Sequence, residues 1–157
     1  MIQIIIATKE DLEAILQLQY LAYQSEAKLF QNREIPPLQQ TIEALEEEFY
    51  RGIILKALDE SGEIVGSVRA YEENGTVYIG KLMVHPAMQH QGIGTKLLCD
   101  IEKEYPNKRF ELFTSTKSIQ NIRLYERMGY QIFKQETVSE ELQFVYLEKT
   151  RNDDRKR

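Results

Sequence analysis

The residues best suited to chemistry lie in one stretch, Val84-His85-Pro86-Ala87-Met88-Gln89-His90-Gln91-Gly92-Ile93-Gly94-Thr95, between a run of β character and a run of helical character. Gly92 and Gly94 open backbone conformations closed to other residues and let a ligand approach the chain closely. The first turn of the helix that follows carries unpaired N–H groups and the positive end of a dipole. Together these make a cradle for an anion, and a pyrophosphate suits it. A Gly-x-Gly also serves many turns for geometry alone, so the competing phosphate motifs must be tested. No Gly-x-x-x-x-Gly-Lys-Ser/Thr is present, and Leu97 stands where the dinucleotide fingerprint needs its third glycine. His85 and His90 titrate near neutrality, but both lie in the turn, where backbone geometry is the main demand. No further ligands stand at metal spacing, so no metal is expected. Cys99 sits mid-helix without a visible partner and reads as packing.

The elements that must position this turn follow from periodicity. Thr8 can cap a helix with Asp11 three positions on. Leu12, Ile15, Leu16, Gln19 and Ala22 then fall on one helical face, with Tyr20 and Tyr23 packing beside it. Pro36 and Pro37 break helicity, and a second helix is expected over Leu38 to Tyr50. Its Glu43, Glu46, Glu47 and Glu48 read as a solvated face, or less often as a wall that attracts a cationic amine. Ile53–Leu58, Glu63–Tyr71 and Thr76–Val84 read as strands of an antiparallel meander, and Asn74-Gly75 is its best hairpin signal. Gly92 to about Glu104 is helical, with Leu97, Leu98, Ile101 and Tyr105 on its apolar side. Arg109–Thr114 is a strand, Ser118–Met128 a helix stopped by Gly129, and Tyr130–Glu136 and Leu142–Lys149 are final strands. Tyr130 and Phe133 are expected in the core.

The chain has 157 residues, 42% hydrophobic and 29% charged, as an ordinary soluble globule has. One α+β domain over 1–149 with a charged tail over 150–157 is the economical division. The net charge of −5 gives no global basic field, so no nucleic-acid partner is expected. The longest apolar run, Ile4 to Ala7, is far short of the roughly 18 residues a membrane span needs. A single cysteine excludes a disulfide framework. The opening residues lack a basic lead and a small-residue cleavage site, so the cytoplasm is the expected address.

Gln89-x-x-Gly92-x-Gly94, preceded by Leu82-Met83-Val84-His85-Pro86, resembles the Arg/Gln-x-x-Gly-x-Gly/Ala motif of the GCN5-related N-acetyltransferases (GNAT). Asn121-Ile122-Arg123-Leu124-Tyr125-Glu126-Arg127-Met128-Gly129-Tyr130 is similar to that family's second signature, Asn-x-x-x-Tyr-x-x-x-Gly-Phe/Tyr. The two stand in the expected order, and the resemblance in element order covers about residues 2 to 149. It implies the GNAT fold: a mostly antiparallel sheet of about seven strands flanked by about four helices. It implies acetyl-coenzyme A as cosubstrate. The turn, Gln89, His90, Gln91, Gly92, Ile93, Gly94 and Thr95, would hold the pyrophosphate through backbone amides. The backbone of Leu82, Met83 and Val84 would pair with the pantetheine arm as an added strand. Asn121 would contact the arm near its thioester.

The implied reaction is direct attack of a neutral amine on the thioester carbonyl in a ternary complex, with the Val84 amide facing the developing oxyanion. Tyr125 is the expected catalytic residue, because its phenol stays protonated at neutral pH and can donate to the departing thiolate. Many family members carry a Glu on the strand before the turn, where this chain offers Gly80 and Lys81. Glu72, Glu73, Glu111 or a water chain are the alternatives for the base. The acceptor, a primary amine of a small molecule or peptide, would meet Gln17–Tyr50 and Glu136–Glu141, with Tyr20, Tyr23 and Phe30. A homodimer through the final strands is common in such folds. The alternative reading is a catalytically silent module that binds coenzyme A as a sensor or partner.

Overall fold

The computed structural model describes residues 1–30 and 35–150, without the side chains of residues 29 and 30. The expectations for the Phe30 side chain and for the charged tail after residue 150 lie outside what is described. The chain runs through β1 (Gln3–Ile6), α1 (Leu12–Ala22), α2 (Gln24–Phe30), α3 (Pro36–Gln39), α4 (Ile42–Arg51), β2 (Ile53–Leu58), β3 (Ile64–Glu73) and β4 (Thr76–Val84). It continues through α5 (Ile93–Lys103), β5 (Arg109–Ser115), α6 (Ile119–Arg127), β6 (Gln131–Thr137) and β7 (Gln143–Lys149).

Local chemistry sets the boundaries. The Thr8 N–H donates to Asp11 Oδ2 at 2.8 Å, closing the expected capping box. The helix expected over Leu38 to Tyr50 is divided. Pro36 and Pro37 open α3, where a missing N–H costs nothing. Gln40 is extended, and Thr41 starts α4 afresh by accepting from the Ala44 N–H at 3.1 Å. Asn74 and Gly75 turn the β3–β4 hairpin with φ of 54° and 84°, the signs a type I′ turn requires. Among the described residues, four helices have nine residues or more, as expected, and the shorter α2 and α3 add to them.

The seven strands form one sheet in the order β1-β2-β3-β4-β5-β7-β6. Neighbours are antiparallel except β4 and β5, which run parallel. That parallel pairing joins only Thr76–Tyr78 to Arg109–Glu111, after which the strands part. One face packs on α1 and α4 through Leu12, Ile15, Leu16, Leu45, Ile54 and Met83. The other packs on α5 and α6 through Leu55, Val68, Val77, Leu97, Ile101 and Tyr125. The central β3 is therefore buried from Val65 to Ala70.

The expectation for the last strands needs a correction. Tyr130 is buried, but Phe133 is 41% exposed. Every residue of β6 is exposed, because it is the edge strand and no described helix reaches it. A register shift between Ile132 and Lys134 also turns Phe133 out of the regular alternation.

Candidate active site

The glycine turn sits where β4 ends against the start of α5. Gly92 is the N-cap of α5 with φ 81°, in the left-handed region glycine favours, and a Cβ there would meet nothing within 4 Å. His90 shares the left-handed backbone at φ 66°. Gln89, His90, Gln91 and Gly92 are exposed, and Gly94 and Thr95 half-buried. The Ile93 side chain is buried beneath Gly66, so Ile93 offers a ligand only its backbone. A Cβ on Gly94 would sit 3.7 Å from Leu124 and 3.9 Å from Val84, so the glycine brings α5, α6 and β4 together. His85 accepts the Ala87 N–H through Nδ1 at 3.0 Å and holds the turn rather than a ligand.

The edge of β4 leading into this turn is open. Beyond Tyr78 no strand pairs with it on the β5 side, so Ile79 to Val84 present an unpartnered backbone edge. The His85 N–H donates to Val65 O at 2.8 Å, and strand alternation therefore points the Val84 N–H towards the open side. Leu82 is half-buried, and Met83 turns its side chain into the core under α1. Open N–H groups, a glycine cradle and a helix start are the donor set a pyrophosphate-bearing thioester needs.

On α6, Asn121 and Tyr125 stand four residues apart on one face, Asn121 half-buried and Tyr125 6% exposed. The Tyr125 hydroxyl makes no hydrogen bond to any described residue. Burial, and then the Glu26 carboxylate, push it above the ordinary phenol range, so it remains protonated. Glu26 accepts from Ser118 Oγ at 3.0 Å, which ties α2 to the N-cap of α6. Burial raises the Glu26 carboxyl, and the Ser118 hydrogen bond only partly offsets this. Tyr23 lies in the same field: burial first, then Glu26 and Tyr125, push its hydroxyl up. Tyr20 packs beside the core and donates to Gln40 O.

Beside the parting of β4 and β5 lies a cleft of about 330 Å³, with Arg69, Tyr71, Tyr78, Lys81, Glu111 and Phe113 among its walls. Arg69, 5% exposed, is held by Gln19, Gln40 at 3.1 Å and Glu48 at 2.6 Å. Gln19 in turn donates to Gln40 at 2.9 Å and to Pro37 O at 2.8 Å. This network fastens α1, α3 and α4 to the middle of β3. Among the glutamates of α4, Glu43 and Glu47 are solvated, while Glu48 serves the cleft wall.

The expected bases are occupied or remote. Glu72 pairs with Lys108 at 2.8 Å, Glu111 with Arg109 at 2.8 Å, and Glu73 is exposed at the hairpin. Glu26 and Arg69 escape sequence reading, and Lys81 is read there only as standing, with Gly80, where many family members carry a Glu. Arg69, a lone charge inside the apolar run of β3, is the one that leaves a signal in the sequence. Cys99 is half-buried on α5, and no cluster of metal-ligating side chains exists among the described residues. No helix among them is long and apolar enough to cross a membrane.

Solved structures share this architecture. PaiA N-acetyltransferase from Thermoplasma acidophilum in complex with coenzyme A superposes with a TM-score of 0.81 at 18% identity, covering 96% of this chain and 99% of that one. The ribosomal-protein-S18-alanine N-acetyltransferase from Escherichia coli gives 0.78 at 16% identity, covering 95% and 93%. A GNAT superfamily phosphinothricin acetyltransferase from Sinorhizobium meliloti, in complex with acetyl-coenzyme A, gives 0.74 at 14% identity, covering 94% and 87%. No curated protein sequence matches significantly. The family model of the acetyltransferase (GNAT) family matches residues 12–130, from the first turn of α1 through both signatures to Tyr130. The chain therefore belongs to the GNAT family, the acetyltransferases whose acyl donor is acetyl-coenzyme A.

Proposed function

We propose that the protein transfers an acetyl group from acetyl-coenzyme A to a primary amine of a small molecule or peptide, by direct attack in a ternary complex. The observation that carries this reading is the unpaired β4 edge, Ile79 to Val84, leading straight into the glycine turn. In this reading Leu82, Met83 and Val84 pair with the pantetheine arm through their backbone. The amides of Gln91, Gly92, Ile93, Gly94 and Thr95, with Gln89 and His90 shaping the turn, receive the pyrophosphate. Asn121 steadies the arm near its thioester.

The amine nitrogen bonds to the thioester carbonyl carbon as the carbon–sulfur bond breaks. The outward Val84 N–H faces the oxygen on which charge develops. Tyr125, which burial keeps protonated and which has no competing partner among the described residues, hands its hydroxyl proton to the departing sulfur, and the phenolate left behind regains a proton from water. The proton shed by the amine leaves through water, since Glu72 and Glu111 are engaged in ion pairs.

Calorimetric titration with acetyl-coenzyme A is expected to give saturable binding, and thiol release across a panel of amines is expected to give turnover. Tyr125→Phe should lower kcat about a hundredfold, the size of one general-acid contribution. Its coenzyme affinity should stay within about twofold, since the phenol acts in the transition state. Undiminished turnover in that variant would remove Tyr125 from the reaction.

A further inference from the structure

Lys81 stands out in the acceptor cleft. On β4, Lys81 and Leu82 together oppose the single residue Val68, because Ser67 pairs with Met83 and Arg69 with Gly80. This is a β-bulge, and bulges re-aim a side chain out of the regular alternation. Lys81 bears the strain of it, with φ 53° in the left-handed region, where a side chain is unfavourable. The result is a half-buried ammonium that lines the 330 Å³ cleft and also a second cavity beside Gln40.

The charges around it are already spoken for. Of the two carboxylates on the cleft wall, Glu48 is bound by Arg69 at 2.6 Å, and Glu111 by Arg109 at 2.8 Å, a guanidinium it shares with Glu148 at 2.9 Å. Lys81 has no ion pair or hydrogen bond among the described residues. Burial pushes its ammonium down, Glu48 holds it up and Arg69 pushes it down again. Arg51 adds a second cation at the rim, 4.0 Å above the ring of Tyr71 and in no ion pair among the described residues. Arg69 is itself engaged by Gln19, Gln40 and Glu48, so the cleft's free cations among the described residues are Lys81 and Arg51. The cleft thus holds an excess of positive charge within aromatic walls, where an anion would be worth more than in water.

We infer that the acceptor carries a carboxylate as well as its amine, about the size of an amino acid, and that Lys81 is the residue that selects for that carboxylate. This rests on the acetyltransferase reading above and extends it to the acceptor. A plain cationic amine would enter a cleft whose walls carry three cations against two carboxylates, whereas an amino acid brings the charge that offsets the excess. The bulge is what brings the ammonium to this position, close to the parted strands along which the thioester is proposed to lie.

The test compares L-phenylalanine, L-methionine and L-glutamate, each against its own α-carboxamide, in a thiol-release assay at saturating acetyl-coenzyme A. In the wild-type protein at least one acid should exceed its amide in kcat/KM by about tenfold or more, the size of a charge-assisted hydrogen bond. Lys81→Met keeps the length and backbone preference of the side chain and should lower that acid-to-amide ratio about tenfold. Lys81→Arg should restore most of it. Lys103→Met, an exposed lysine on α5, is the charge-change control and should leave the ratio alone. Amides that match their acids, or a ratio that survives Lys81→Met, would overturn the inference. If none of the six turns over, thermal shifts of the coenzyme-loaded protein decide: acids must stabilise it and amides must not. Equal or absent shifts overturn it. Failure of acetyl-coenzyme A itself to bind would instead overturn the acetyltransferase reading.

Discussion

Tyr125 on α6 lies in the field of Glu26, which ties α2 to the N-cap of α6 through Ser118. Burial first, and then the Glu26 carboxylate, makes the phenol hold its proton, and burial makes the carboxylate reluctant to lose its own. For Glu26 the consequence for stability has a definite sign. Its folded affinity for the proton is raised above the ordinary value of 4.5, so the native chain binds that proton more tightly than the unfolded one. The contribution is fully present below the ordinary value and is lost as pH rises through the folded one. Glu26→Gln keeps an acceptor for Ser118 and removes the ionisation. The variant should therefore melt above the wild type at pH 7, with the gap closing towards pH 4. Thermal unfolding across that range checks it, and a gap that widened on acidification would contradict the assignment.

At the scale of elements, the site is an outcome of mismatches. A parallel pairing stops after Tyr78, a bulge falls at Lys81, and a left-handed glycine starts α5. Each leaves backbone groups that regular structure would have used. Gly92→Ala tests one of these. There is open space for the added methyl, so any effect comes from φ 81° rather than from a clash. About 1 kcal/mol of stability should be lost, the usual cost of a side chain in the left-handed region. The turn should relax away from its cradle geometry, weakening acetyl-coenzyme A several-fold in calorimetry. A variant that binds the coenzyme normally would place the anion elsewhere.

Across the whole molecule, a net charge of −5 must coexist with a polyanionic cosubstrate, so in the proposed reading the attraction is local, through amides at one helix start. The scaffold behind them is a sheet with an independent apolar layer on each face. Leu97 anchors the α5 layer, fully buried against Gly66, where even a Cβ would come within 3.0 Å of it. Leu97→Ala should cost about 2–5 kcal/mol in urea unfolding, with an unchanged denaturant slope, as cavity formation in a packed core does. A loss below about 1 kcal/mol would mean that the layer collapses around the gap.

Much of this was legible along the chain, because its causes are local. Alternation marked β2 and β4 to the residue, Asn74-Gly75 marked the hairpin, and Thr8 with Asp11 marked a helix start. Gly92 stood out by its spacing from Gly94, Asn121 and Tyr125 entered through the resemblance of the second signature, and the match over 12–130 shows the family. What stayed hidden depends on residues far apart in sequence. The exposure of Phe133 follows from β6 being an edge, which only the strand order decides. The occupation of Glu72 and Glu111 follows from partners on other elements. Arg69 meets Gln19, Gln40 and Glu48 only because three helices converge on one strand, and Lys81 reaches the cleft only because β4 carries one residue more than β3 there. In the proposed reaction the donor side rests on backbone conformation, which a short motif encodes. The acceptor side is built from side chains brought together by the fold, and only tertiary structure decides which of their charges remain free.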